Sequence, residues 1–316
     1  MVAESLIQDM PWLQASVDRF HKLLVSERLP HALILPGREG DGAQLLAQTL
    51  ARTALCSTPE LGYPCNHCKS CLLHQAETHP DYFKIEPSGA SLTVKVDDIR
   101  LLVEKFAATS QISARKVAVI FHAETMNTAA ANALLKTLEE PPGNALLILV
   151  TEGTRPLLPT VRSRCQPITM NRPTLAETST WLESREISSR VSAELLEALD
   201  YQPLRVASWI EEGMQPHWEH FRAIMSGVAQ MQVTPVKAAA ECKDVGMIDQ
   251  LDWIDWQLSR IVRQAALEGN LPQPQHSRYL EQLSAMRSEL VYSANVNAQL
   301  FSENLFMLWQ QFNRQS

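Results

Sequence analysis

The hydrophobic pattern of this chain changes period once, near residue 172, and a fold built from one repeated type of layer cannot accommodate that change. Before the change, short continuous apolar runs at Ala32 to Leu35, Val117 to Phe121 and Leu146 to Thr151 alternate with helical patterns. Runs of that length, apolar at every position, suit parallel strands buried on both faces. Gly42 to Leu55 places Leu45, Leu46, Thr49 and Leu50 on one side of a helix, and Val96 to Ala107 does the same with Val96, Ile99, Val103 and Phe106. Asp97 and Asp98 fall in the first turn of the second helix, where negative charge favours the exposed amides. Asn127 to Glu140 is rich in Ala and Leu and must stop at Pro141 and Pro142. Strand, helix, strand in this order predicts an α/β fold, a parallel sheet with helices on both faces.

Beyond residue 172 the strand candidates end and the pattern is helical, with six of the seven tryptophans between Trp181 and Trp309. Leu251, Ile254, Leu258, Ile261 and Ala265 form one apolar face, closed by Gly269 and a loop with Pro272 and Pro274. Phe301, Leu305, Leu308 and Phe312 form another. Such a bundle is read first as a domain core, with a packing surface between chains as the alternative. With 316 residues, 45% of them hydrophobic, the chain can bury two or three cores. The formal net charge of −7 argues against a protein that binds nucleic acid unaided through bulk positive charge. No run approaches 18 apolar residues, and Glu4, Asp9, Asp18 and Arg19 break any leader-like order in the first 20, so a soluble, cytoplasmic protein is expected.

Four of the six cysteines cluster as C-x8-C-x2-C-x2-C at Cys56, Cys65, Cys68 and Cys71. Two intervening residues let the chain turn tightly enough for neighbouring thiolates to reach one tetrahedral ion, and an all-thiolate set selects zinc over hard cations. Four thiolates fill the shell and leave no position for water, which predicts a structural site. His67 and His74 could substitute as ligands, and a set of free or redox-active thiols is the competing reading. The purpose of such a site stays open between stapling a surface excursion, ahead of a strand at Asp81 to Glu86, and presenting a partner surface.

The run Gly37-Arg38-Glu39-Gly40-Asp41-Gly42-Ala43-Gln44 follows an apolar strand and opens a helix, the setting of a phosphate-binding loop. Its glycines keep the G-x4-G spacing, but Ala43 stands where a lysine reaches phosphate and Gln44 where a hydroxyl holds magnesium. The strand that would supply a magnesium carboxylate ends instead in Phe121, His122, Ala123 and Glu124. Tight ATP binding is therefore not expected, and an ordinary tight turn would use the same glycines. Glu139 and Glu140 diverge by about 100° on a helix and cannot converge on one substrate atom.

Three further segments, His79-Pro80-Asp81, Asn132-Ala133-Leu134-Leu135-Lys136-Thr137-Leu138-Glu139-Glu140-Pro141-Pro142 and Ser163-Arg164-Cys165, together resemble the bacterial clamp-loader AAA+ proteins of DNA polymerase III. The likeness is specific over residues 12 to 170. Within the family a four-cysteine insertion marks the gamma/tau and delta-prime branches, and the eroded phosphate loop sides with delta-prime. The resemblance implies a RecA-like AAA+ module over 1–171 with a zinc-binding insertion at 56–71, a small helical lid over 172–212, and an all-α collar for oligomerisation over 213–316. It implies a subunit of the polymerase III holoenzyme, a nucleotidyltransferase complex, that hydrolyses no ATP itself. Its partners would be the gamma/tau and delta subunits and, through the assembled ring, the sliding clamp and primed DNA. Arg164 would be catalytic only in trans, an arginine finger for a neighbour's site, and Cys56, Cys65, Cys68 and Cys71 would hold zinc. An active gamma/tau-like ATPase is the main alternative, and a zinc-stabilised adaptor unrelated to replication a weaker one.

Overall fold

The computed structural model describes residues 7–88, 93–152, 156–188, 191–269, 274–292 and 296–315; Glu4 and Pro272 lie outside them. The chain divides into two compact units, Met1–Ser184 with Gln202–Leu204, and Arg185–Tyr201 with Arg205–Ser316.

In the first unit the elements run α1 (Pro11–Val25), β1 (Ala32–Pro36), α2 (Ala43–Leu55), α3 (Lys69–Gln75), β2 (Tyr82–Ile85), α4 (Val96–Ala107), β3 (Lys116–Ile120), α5 (Thr128–Glu139), β4 (Ala145–Thr151), α6 (Pro159–Arg162), β5 (Gln166–Pro167) and α7 (Leu175–Glu183). The five strands form one sheet in the order β2-β3-β4-β1-β5. Every pairing is parallel, with Ala32 opposite Leu147 and Val117 opposite Leu146. Alternate strand residues serve opposite faces. Ala32, Ile34, Ala118, Ile120, Leu147 and Leu149 pack with Ile99, Leu102 and Phe106 of α4 and with Ala130, Leu134 and Leu138 of α5. Their neighbours Leu33, Leu35, Val117, Val119, Leu146 and Ile148 are buried on the other face, where α2 packs on β1, β3 and β4. Both faces are covered, as the uninterrupted apolar runs require. Leu102 joins the buried stripe of α4, while Val96 and Val103 are only half-buried.

Local chemistry sets the ends of these elements. Asn127 caps α5 by accepting the Ala130 amide at 2.9 Å, and Pro141 lies just beyond its end. Thr174 and Glu177 cap α7 reciprocally. Beyond α6 the two-residue strand Gln166–Pro167 forms the sheet edge beside β1.

The second unit holds α8 (Ala193–Ala198), most of α9 (Pro203–Glu211), α10 (Gln215–Ala229), α11 (Pro235–Glu241), α12 (Met247–Leu267), α13 (Pro274–Tyr292) and α14 (Ala298–Gln315). Among the described residues it has no strand. Trp209, Trp218 and Phe221 all meet the fully buried Trp253 edge-on, at centroid distances of 4.8, 4.9 and 4.7 Å. Leu251, Ile254 and Leu258 are buried on α12, whereas Ile261 and Ala265 are half-buried. Phe301, Leu305, Leu308 and Phe312 of α14 are all buried. The parallel α/β module and the all-α region read from the sequence are thus both present. No described helix is long and apolar enough to cross a membrane.

Candidate functional sites

The carboxyl ends of β1, β3 and β4 lie side by side, and β1 is the strand about which the order departs from the chain sequence. Ligands of open α/β sheets bind at such a crevice. The loop from Gly37 to Gly42 leaves β1 there and turns into α2 through Gly42, whose φ of 99° lies in the left-handed region that glycine adopts without strain. Gly37 approaches the helix so closely that a Cβ would lie 2.4 Å from the Ala43 Cβ.

The amides of this loop already have an anion. The buried Asp41 carboxylate accepts hydrogen bonds from the Arg38 amide at 2.7 Å and the Ala43 amide at 3.1 Å. Helix N-termini attract phosphate because such amides converge on it; here a side chain of the same loop takes two of them. Burial raises the Asp41 carboxyl above its usual range against the pull of those amides. The Trp12 indole donates to the Asp41 carbonyl at 2.8 Å, tying the loop to α1.

Beside the loop, Gln44 donates to Glu152 Oε2 at 2.7 Å, and its amide nitrogen lies 3.3 Å from His122 Nε2. His122 follows β3 with a left-handed φ of 47°, its Nδ1 3.6 Å from Glu124 Oε1. Glu124 accepts the Glu152 amide at 3.3 Å. Hydrogen bonding to Glu124 raises the His122 imidazole against its burial, and burial pushes Glu152 up to about 7. Three carboxyl groups and one imidazole therefore gather where phosphates and magnesium would sit. Phe121 is buried and offers no oxygen. Glu152 was not singled out in the sequence, although its signal is there: it is the first charged residue after the Leu146 to Thr151 run.

Arg164 lies one residue beyond the helix end at Ser163, with its side chain partly exposed. Its Nε and Nη2 both donate to Glu139 Oε1, at 2.9 and 2.6 Å, and Nη1 donates to the Thr160 carbonyl at 2.9 Å. Glu139 is thus a partner of Arg164 and Glu140 is not part of that grip. Nη1 also donates to Ser163 Oγ at 3.3 Å, so every nitrogen of the guanidinium has a partner within this chain. Cys165 is buried, and burial pushes its thiol up to about 11, so it is an inert packing residue.

The sulfurs of Cys56, Cys65, Cys68 and Cys71 lie within 4.8 Å of one another, with Cys56 Sγ 3.4 Å from Cys65 Sγ and 3.8 Å from Cys68 Sγ. Tetrahedral zinc with sulfur at 2.3 Å spaces its ligands by about 3.8 Å, so this donor set fits such an ion. None of the four is in a disulfide. Cys56 caps the end of α2, and Cys68 caps the start of α3, where its sulfur accepts the Cys71 amide. Hydrogen bonds from Ser57 and the Cys71 amide outweigh burial and bring the Cys68 thiol down to about 5, whereas burial raises Cys56 and Cys71. His67 is exposed and bonds the Cys65 carbonyl, and His74 packs at a tilt of 47° against Tyr82 with centroids 4.4 Å apart. Neither joins the sulfur cluster. The excursion is seated on α1: Tyr63 donates to Gln14 at 2.7 Å, and a Cβ on Gly62 would lie 2.8 Å from Val17.

Residues 12–174 match the family described as DNA polymerase III, delta subunit. The chain is 35% identical to DNA polymerase III subunit delta' of Pseudomonas aeruginosa over 254 residues, covering 78% of this chain and 76% of that one. It is 38% identical to the Escherichia coli protein of the same name, over 60% of this chain and 56% of that one. The Haemophilus influenzae protein of that name is 31% identical, over 77% and 74%. Among solved structures, a DNA polymerase III gamma subunit-related protein from Thermotoga maritima aligns over 94% of this chain and all of its own, at 19% identity and a TM-score of 0.47. By the extent and identity of its match to the curated relatives, this chain belongs to the delta-prime subunit family of DNA polymerase III.

Proposed function

We propose that the chain is a non-catalytic, delta-prime-type ring subunit of a cytoplasmic clamp loader, which supports ATP-driven placement of the sliding clamp on primed DNA without hydrolysing ATP itself. Its partners in this reading are gamma/tau and delta subunits, and it meets the clamp and DNA through the assembled complex, as its net charge of −7 favours. Residues 1–171 act as the AAA+ module, 172–212 as the lid and 213–316 as the collar. The observation that carries the reading is the filled phosphate loop: Asp41 takes the Arg38 and Ala43 amides, and Gln44, His122 and Glu152 bond one another where a hydroxyl and a magnesium carboxylate would be needed. A bound triphosphate would have to displace one carboxylate and sit beside two more, a cost that Ala43, standing at the lysine position, does not offset.

Arg164 acts on a neighbour's nucleotide. Glu139, Thr160 and Ser163 hold its guanidinium within this chain, and in the assembled ring the Nη1 contacts give way to a neighbour's phosphate, where the arginine stabilises charge on a transferring phosphoryl group, a contribution of about a thousandfold or more in rate. The Glu139 pair is partly exposed and holds the arginine at little energetic cost, about 1 kcal/mol or less. Cys56, Cys65, Cys68 and Cys71 hold zinc, which crosslinks the end of α2 to the start of α3 and keeps no open coordination position.

Arg164→Ala in a complex reconstituted with gamma/tau and delta subunits should lower its ATPase rate while its mass, read by native mass spectrometry, stays the same. An unchanged rate rejects the finger. Micromolar ATP binding and steady hydrolysis by the isolated chain would instead support a gamma/tau-like motor.

A further inference from the structure

The His79-Pro80-Asp81 segment plays no part in the nucleotide or arginine chemistry, yet it carries a dense buried polar cluster. Ser70, His79 and Asp81 are 5, 6 and 0% exposed. His79 Nε2 lies 2.9 Å from Ser70 Oγ and 3.2 Å from Ser113 Oγ, and the two hydroxyls are 3.2 Å apart. Ser113 Oγ donates to the Leu55 carbonyl at 3.0 Å. The Asp81 amide donates to His79 Nδ1 at 3.1 Å. The Asp81 carboxylate accepts the amides of Gln111 and Ile112 at 2.7 Å each and of Ser113 at 2.9 Å.

Counting protons fixes the direction of every bond. Because Nδ1 accepts an amide, the ring proton is on Nε2, and His79 is a donor to the serines. The Ser113 proton is committed to the Leu55 carbonyl, so the Ser70 proton points to Ser113. A serine, a histidine and an aspartate thus stand close together without forming a hydrolytic triad, since the imidazole faces Ser70 with its proton and the carboxylate is given over to backbone amides.

The position of this cluster shows what it can do. Leu55 precedes Cys56, and Ser70 precedes Cys71. One hydroxyl pair therefore joins the end of α2, which carries Cys56, to the first turn of α3, which carries Cys71 and is capped by Cys68. These two helix ends carry the first and the last cysteine of the excursion. Four thiolates brought together without an ion repel one another, so the backbone must be held by other contacts if the site is to be preorganised. We propose that His79, Ser70 and Ser113 are positioning residues for the metal: a polar latch that holds the two halves of the four-cysteine site at ligand spacing, with Asp81 fixing the strand of loop that supplies Ser113. This rests on the reading of the four thiolates as a zinc site. Polar partners outside the ligand shell typically tune metal affinity by about 10- to 100-fold, and the latch belongs to that range although it acts through the backbone beside the ligands.

The test is zinc affinity of the full chain, measured by competition with a chromogenic chelator, alongside far-ultraviolet circular dichroism and thermal midpoint. Wild type should bind one zinc per chain, and Cys71→Ser should abolish tight binding. His79→Ala and Ser113→Ala, which touch no ligand, should each weaken zinc binding by about tenfold or more. His79→Gln, which keeps a donor near the ε position, should recover part of the loss. Leu102→Ala, a cavity in the sheet core facing α4, controls for general destabilisation and should lower the thermal midpoint with zinc affinity unchanged. Wild-type affinity in both His79→Ala and Ser113→Ala would overturn the latch while leaving the zinc reading intact. An equal loss in Leu102→Ala would overturn it too. Failure of the wild-type chain to bind zinc would overturn the zinc reading itself.

Discussion

Glu152 and its neighbours make a residue-scale prediction with a definite sign. Burial pushes the Glu152 carboxyl up to about 7, above its unfolded value near 4.5. Between those values the folded chain binds the extra proton, so this group's contribution is fully present below about pH 4.5 and is lost as pH rises through 7. Glu152→Gln preserves an amide-to-oxygen bond with Gln44 and removes the titration. The stability of the variant relative to wild type, from urea unfolding, should therefore increase from pH 5.5 to pH 8. A difference that stays flat over that range would mean that Glu152 does not titrate there. In the proposed function, the same buried acids would oppose the approach of phosphate.

At the scale of elements, the helices of the second unit are joined by charge as well as by tryptophan packing. Arg205 of α9 donates to Asp249 and Asp252 of α12 at 2.9 Å each, and Arg287 of α13 reaches Asp252 and Asp255 of the same helix. Arg205, Asp249 and Asp252 are each about four-fifths buried or more. The attraction of the aspartates raises the Arg205 guanidinium despite its burial, and burial raises Asp255 in spite of Arg287. Removing one partner of such a network strands the others in a poorly solvated setting. Arg205→Ala should cost about 2 kcal/mol or more in urea unfolding of the chain, read by tryptophan fluorescence. Arg222→Ala, at an exposed pair with Glu194, should cost under about 1 kcal/mol.

For the molecule as a whole, two separately built cores imply two reporters. Trp12 and Trp181 contact each other in the first unit, at a centroid distance of 6.4 Å, and the remaining five tryptophans belong to the second. Zinc release on denaturation would report the first unit, and tryptophan fluorescence chiefly the second. The two midpoints in urea should differ, because chains with distinct cores depart from two-state unfolding. Coincident midpoints would show instead that the chain unfolds as one cooperative body.

Four of the five strands, the helices α2, α4 and α5, the change of architecture near residue 172 and the four-cysteine cluster were legible in the amino-acid order, because each depends on short-range periodicity or on ligand spacing. Asn127, Pro141 and Gly42 act within a turn of where they stand, so their effects are local too. The partners of Gln44, Arg164 and His79 were not legible. Glu152 is 108 residues from Gln44, Glu139 is 25 from Arg164, and Ser113 is 34 from His79. No periodicity links such pairs. Local sequence thus determined which segments form strands and helices, which cysteines stand at metal-binding spacing and which phosphate anchors are missing. Only tertiary structure decided that Asp41 fills the loop's own amides, that Glu139 grips the arginine and that a buried histidine joins two helix ends, because those bonds exist only once the parallel sheet has brought distant carboxyl ends and loops within hydrogen-bonding reach.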